Sequence, residues 1–188
     1  MSEQLNLSIE LEFTSENYNY LFDKLKENNI DYTFTGDSRI SRLDKIVIKP
    51  EASVRGLELN IPYTETFETL RKICDIFDNH VILTNNCCLH LHYPIANIED
   101  CDKIYNYYCA NEQSIIAAAQ EQNMYVNLNK PTATPTINPI RYLNMNVYKA
   151  YEMHGTVEHR IYKATFNYNK LVWAINQTKQ IISNALSQ

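Results

Sequence analysis

Four segments of this sequence alternate apolar residues with charged or titratable ones, and that alternation constrains the fold more than any other feature. Successive side chains of a β-strand point to opposite faces of a sheet, so each segment predicts a strand with one apolar and one polar face. The polar positions come in pairs two residues apart: Glu10 and Glu12, Glu58 and Asn60, His90 and His92, and Glu158 and Arg160. In the last segment Tyr162 would continue the polar face, and His159 would lie among the apolar residues as a core histidine.

Helical spacing of apolar residues predicts four helices, in the ranges 15–29, 64–78, 97–122 and 168–186. Ser15 and Asn167 are expected as the N-caps of the first and the last helix, and a break is expected near Asn111 in the third. Short strands are predicted at 45–49 and 81–84, and the ranges 141–151 and 155–164 are expected to pair as antiparallel strands. Strands mixed with a few helices, without a strict βαβ rhythm, predict an α+β fold. We expect an antiparallel sheet with helices packed on one face and a concave polar face opposite.

Composition limits the classes of partner. The chain has 188 residues, a length that suits one domain spanning 1–188. Its formal net charge of −5 and its scattered lysines and arginines disfavour binding to nucleic-acid phosphates. Five cysteines without a CxxC pair indicate free thiols in a reducing compartment, so we expect a cytoplasmic protein. The sequence lacks the apolar run of a signal peptide and any stretch of about 18 apolar residues, so no membrane contact is expected.

Two features concern ligand binding more directly. With three glycines in the chain, no glycine-rich phosphate loop of the GxxxxGK[ST] or GxGxxG type is present. Residues 127–139 contain three prolines and predict an irregular loop. A loop of this length is either a lid or binding loop over a site or a surface excursion without function.

The paired polar residues suit the binding of a metal ion and phosphate groups. Hard cations such as Mg²⁺ take oxygen ligands from a few carboxylates and from substrate phosphates. The guanidinium of Arg160 could bind a phosphate in bidentate fashion, and the imidazoles of His90 and His92 could bind a metal or donate to a phosphate. Phosphoryl transfer depends mainly on positioning and on neutralisation of charge, for which an ordered array of such groups is the expected apparatus.

At these motifs the sequence resembles the amidoligase family, a branch of the glutamine-synthetase-like carboxylate–amine ligases found often in phages and bacteria. The opening strand of that family reads roughly G-x-E-x-E-[FL], and here SIELEF carries Glu10 and Glu12 with Ser8 at the glycine position. A Gly-x-His-x-His strand follows later in the family, and here CCLHLHY has Cys88 in place of that glycine.

Further segments of the resemblance occur in the family's order. GDSRI at 36–40 resembles its Asp-Gly-Ser turn, and ELNIP with Glu58 matches its Glu-Leu-x-x-Pro strand. Tyr142-Leu143-Asn144 resembles a Tyr-x-x-Asn element, and HGTVEHRIYKATFN at 154–167 resembles its [TV]-x-E-[FH]-R block. The resemblance therefore covers nearly the whole chain.

The resemblance implies a fold like the catalytic domain of glutamine synthetase and an ATP- and Mg²⁺-dependent ligase. ATP would phosphorylate a substrate carboxylate, and an amine would attack the acyl phosphate to form an amide. By carry-over, Glu10, Glu12, Glu58 and Glu158 would share the metal ions. His90 and His92 would act on the metal or the phosphates, Arg160 would hold the phosphoryl group, and Arg39 and Asn144 would contact nucleotide or substrate.

The substrates would be peptides, cell-wall fragments or small amino compounds. A homo-oligomer is also compatible with the sequence, because exposed edges of such sheets often pair.

Two other functions are compatible with the same residues. One is a binding module that keeps the fold without full turnover, such as a phage-encoded protein that engages a host factor in the host cytoplasm. The other is a metal-dependent hydrolase that uses the same histidines and glutamates.

Overall fold

The structure is a computed structural model that describes residues 3–37, 44–125 and 145–188. Its strands are β1 (Ser8–Phe13), β2 (Tyr32–Phe34), β3 (Ile46–Glu51), β4 (Gly56–Ile61), β5 (Cys88–Pro94), β6 (Met145–Asn146) and β7 (Thr156–Lys163). Its helices are α1 (Tyr18–Glu27), α2 (Phe67–Phe77), α3 (Ile98–Glu121), α4 (Tyr148–His154) and α5 (Tyr168–Leu186). Within these ranges, none of the helices is both long enough and apolar enough to cross a membrane.

The described strands form one open sheet of seven strands in the order β2-β3-β4-β1-β5-β7-β6. Neighbouring strands are antiparallel except β2 and β3, which run parallel. The protein thus has a mixed α/β fold, and the expectation of a wholly antiparallel sheet is wrong at this edge. The parallel pairing of β2 with β3 depends on which strands lie side by side in the folded chain, which the local alternation of side chains does not encode.

The apolar faces of the central strands pack against the helices. Phe13 of β1 contacts Phe77 of α2 and Phe166 edge-on, with ring centroids 5.3 and 5.9 Å apart. Leu171 and Ile175, which lie one turn apart on α5, are fully buried in the same core. Burial of these side chains from water provides the main stabilisation of the fold. It also directs the opposite side chains of the same strands to the other face of the sheet.

Capping residues fix where the helices begin. Asn167 Oδ1 accepts a hydrogen bond from the Lys170 amide at 3.2 Å, which confirms the predicted start of α5. The prediction for α1 is wrong by two residues, because Asn17 and not Ser15 accepts from the Tyr20 amide. Ser15 Oγ instead donates to the carbonyl oxygen of His80 at 2.8 Å and so ties the start of α1 to the segment after α2.

Three other local predictions need correction. The range 81–84 forms only an isolated bridge between Ile82 and Thr14, not a strand. Helix α3 continues without a break at Asn111, whose side-chain amide donates to the Tyr107 carbonyl one turn back. Residues 148–151 are helical in α4, because Val147 and Ala150, three residues apart, turn the same face into the core.

Candidate functional site

The polar face of the central strands borders a cavity of about 460 Å³, a volume typical of small-molecule sites. Its lining contains every sequence-predicted site residue that the structure describes: Glu10, Glu12, Glu58, His90, His92, Glu158 and Arg160. The structure therefore brings seven of the nine candidates together. Arg39 and Asn144, like the loop at 127–139, lie outside the described residues.

Strand register explains why these side chains meet. Glu10 of β1 lies directly opposite His90 of β5, and His92 lies opposite Glu158 of β7. Opposite positions of paired strands bring their Cβ atoms within about 4.5–5.5 Å of each other. Residues that are far apart in the sequence thus become neighbours on one face of the sheet.

The imidazole of His90 bridges two carboxylates. Its Nδ1 lies 3.3 Å from Glu10 Oε2 and 3.4 Å from Glu158 Oε1. Burial disfavours the protonated ring, but contacts with Cys88, Glu10 and Glu158 outweigh it and raise the pKa of His90 to about 10. Burial alone would raise the pKa of Glu10, yet the nearby imidazoles of His92 and His90 hold that pKa well below its usual range.

His92 has the surroundings of a metal ligand. Its Nδ1 lies 3.3 Å from Thr156 Oγ1, a contact that orients the ring. Its Nε2 is buried and makes no hydrogen bond to any residue that the structure describes. This atom lies 3.4 Å from Glu10 Oε1 and 3.9 Å from Glu158 Oε1. Because a buried polar atom is normally paired, this imidazole and the two carboxylates fit a divalent cation held between them.

Outer contacts also hold one of those carboxylates in place. Asn146 Nδ2 of β6 donates to Glu158 Oε2 at 2.7 Å, while Oε1 lies 3.4 Å from His90 Nδ1 and 3.9 Å from His92 Nε2. Side chains that orient metal ligands in this way commonly change metal affinity when they are removed. Arg160 NH1 lies 3.5 Å from the same Oε1, so a guanidinium borders the group.

A second group of carboxylates, from Glu12, Glu51 and Glu58, lies nearer β3. Glu12 is opposite Glu58 in the β1–β4 pair, and Lys49 of β3 lies opposite Glu58 from the other side. Lys49 Nζ is 2.9 Å from Glu58 Oε1, and Asn60 Nδ2 donates to the same oxygen at 2.7 Å.

Electrostatics differ between the members of this second group. Burial and the charge of Glu10 raise the pKa of Glu58 to about 7, although Lys49 and Asn60 act against this shift. Burial also raises the pKa of Glu12. For Lys49 burial acts in the opposite direction, but the carboxylate of Glu58 outweighs it and the pKa is raised.

The prediction that Tyr162 lies on the polar face is wrong. Its side chain is 1% exposed and lies in the core, with its ring 4.9 Å from that of His159. The reason is a register shift in the β5–β7 pair, where Leu91 is opposite His159 but Leu89 is opposite Tyr162. One extra residue in β7 turns Tyr162 to the apolar side. His159 is fully buried, as expected for a core histidine.

Several residues of the cavity were not found from the sequence. Lys49 and Glu51 lie on β3. Only the pairing of β3 with β4 could have identified them as residues of the site, because the alternation of polar residues within β3 alone does not do so. Lys149 and His154 come from α4, which was predicted as a strand. His154 also borders the cavity, where burial and the charge of His92 lower its pKa.

The chain matches no protein-family model, and no curated protein matches it. The side chains that line the cavity, their distances and their charges are therefore the basis for any statement about its activity.

Proposed function

We propose that this cavity is the active site of an ATP- and Mg²⁺-dependent carboxylate–amine ligase whose sheet is that of the glutamine synthetase catalytic domain. The observation that carries the proposal is the convergence of Glu10, His90, His92, Glu158 and Arg160 in one cavity. A site that transfers a phosphoryl group between two anions needs cationic groups and metal-binding carboxylates in this kind of arrangement.

The reaction would take place in two steps. The substrate carboxylate attacks the γ-phosphorus of ATP, the bond to the bridging oxygen breaks, and ADP leaves as an acyl phosphate forms. The nitrogen of an amine then attacks the acyl carbon, inorganic phosphate leaves, and the amine gives up a proton to form the amide. Arg160 would bind the phosphoryl oxygens in both steps, since a guanidinium provides two parallel donors.

Glu10, His92 and Glu158 would hold the divalent cation. The ion would neutralise negative charge on the nucleotide phosphates during transfer. His90 would keep the carboxylates of Glu10 and Glu158 in position, because its Nδ1 lies within 3.4 Å of both. The metal role of Glu12 and Glu58 stays a prediction.

Hydroxylamine tests the proposal without knowledge of the natural amine, since it attacks acyl phosphates of many carboxylates to give coloured hydroxamates. The protein is incubated with Mg²⁺, ATP and hydroxylamine and with a panel of amino acids and short peptides as carboxylates. We expect hydroxamate and ADP in equal amounts for at least one carboxylate. Glu158→Gln should give neither product, whereas Glu152→Gln, at an exposed position of α4, is the matched control.

Nucleotide binding without any product would favour the binding module. The metal-dependent hydrolase has one observation of its own, the imidazole of His92 among the candidate ligands, because imidazole suits zinc better than magnesium. Zinc that is retained through purification and lost in His92→Ala would favour that hydrolase over the ligase.

A further inference from the structure

Lys49 occupies an unusual position for a lysine. Its side chain is almost completely buried, with 7% of the residue exposed, and its Nζ lies 2.9 Å from Glu58 Oε1. The β3–β4 register fixes this contact, because Lys49 and Glu58 are directly opposite. A buried lysine stays charged only when its ammonium is paired with an anion, so the ion pair of Lys49 and Glu58 is part of the structure of the cavity wall.

The carboxylates around Lys49 already accept hydrogen bonds from the protein. Glu12 Oε2 accepts from the Cys88 amide at 2.8 Å, and Glu51 Oε1 accepts from the Ser53 amide at 2.9 Å. Glu58 Oε1 accepts from both Lys49 and Asn60. Each member of this group therefore has one oxygen committed to an internal donor.

The group of Glu10, His92 and Glu158 differs in a decisive respect. Its cationic neighbours among the described residues are the imidazole of His90 and the guanidinium of Arg160, not a lysine. In addition, His92 Nε2 is buried without a hydrogen-bond partner there. A buried imidazole nitrogen that makes no hydrogen bond and lies beside two carboxylates is the arrangement of a metal ligand, whereas the second group offers no such nitrogen and has Lys49 Nζ paired with Glu58 Oε1.

We propose that the cavity takes a single divalent cation, at Glu10, His92 and Glu158, and that the ammonium of Lys49 stands in place of a second ion beside Glu12, Glu51 and Glu58. The inference rests on the proposed function for the presence of a cation, and it adds that a fixed side chain performs part of the charge neutralisation. Mn²⁺ is the appropriate probe, because an imidazole with two carboxylates binds it well and its binding can be counted by electron paramagnetic resonance.

The test counts Mn²⁺ bound per chain in the absence of nucleotide. We expect one ion in the wild type, two in Lys49→Ala, which exposes the three carboxylates to a hydrated ion, and one in Lys49→Arg, which retains the charge. His92→Ala should lose the ion of the wild type, and the double variant His92→Ala with Lys49→Ala should again bind one ion, now at the second group.

The inference would be overturned if the wild type bound two ions or none, or if His92→Ala retained its ion. It would also be overturned by one ion in a folded Lys49→Ala or by two ions in Lys49→Arg. If Lys49→Ala does not fold, Lys49→Gln takes its place, because it removes the charge but keeps a polar side chain, and it too should bind two ions. Failure of the proposed ligase has a separate signature. One bound Mn²⁺ with no response to ATP would retain this inference and remove the ligase, whereas two ions with a response to ATP would do the reverse.

Discussion

The buried imidazole of His159 should make the protein sensitive to acid in a defined way. The side chain is fully buried, its Nδ1 is 2.9 Å from Thr178 Oγ1, and its Nε2 has no hydrogen-bond partner among the described residues. Burial lowers the pKa of His159 to about 3, well under the value of about 6.5 expected in the unfolded chain. Between these two values the unfolded state binds one proton more than the folded state.

The free energy of unfolding then falls as the pH falls, by about 1.4 kcal/mol per pH unit below pH 6.5. From about pH 7 to about pH 4.5 the contribution of His159 amounts to roughly 2.5 kcal/mol. His159→Leu removes the titrating group, so the wild type should lose that much more stability than the variant over this interval. The contribution is fully present above pH 6.5 and is lost toward pH 3.

Urea denaturation of the two proteins at several pH values measures this difference directly. His80→Leu serves as the matched control, because it removes an exposed imidazole whose ring centroid lies 4.4 Å from that of Tyr20. Parallel pH profiles for the wild type and His159→Leu would refute the reasoning. They would mean that His159 is protonated, or reached by water, in the folded protein.

Three further predictions follow from single contacts. Gly56→Ala should lower the free energy of unfolding by about 3 kcal/mol in urea denaturation, because its Cβ would overlap the Phe13 carbonyl oxygen, while Gly36→Ala, which has open space, should be tolerated. Asn167→Ala should cost about 1 kcal/mol through loss of the α5 cap, and an undiminished stability would contradict the capping role. Asn146→Ala should weaken Mn²⁺ binding roughly 10–100-fold in a titration, and unchanged affinity would show that its contact with Glu158, a proposed metal ligand, is dispensable.

Local alternation was enough to predict the central strands and seven of the residues that line the cavity. Glu10 lies between Ile9 and Leu11, which are both fully buried, so the two-residue period assigns its face without knowledge of the partner strands. Asn167 was likewise found because an N-cap is a local signal. These predictions share one property, namely that the physical cause acts over a few residues.

The parts that the sequence did not predict depend on pairing between distant segments. Lys49 can be recognised as a residue of the site only from its pairing with Glu58 on the neighbouring strand. The side of the sheet on which Tyr162 lies depends on one extra residue of β7 opposite β5. Helix α4 is short and weakly patterned, so its first four residues, 148–151, were predicted as the end of a strand. In each case tertiary contacts outweigh the local propensity.

Binding of magnesium–ATP is the most direct test of the central claim that this cavity holds a metal and a nucleotide. A ligand at about 100 times its Kd adds about 2.7 kcal/mol to the free energy of unfolding, which for a chain of this size corresponds to a Tm increase of roughly 5–10 °C. We expect that increase for the wild type and for the surface control Glu152→Gln, and none for Glu10→Gln. A wild type whose Tm does not change at millimolar magnesium–ATP would contradict the account.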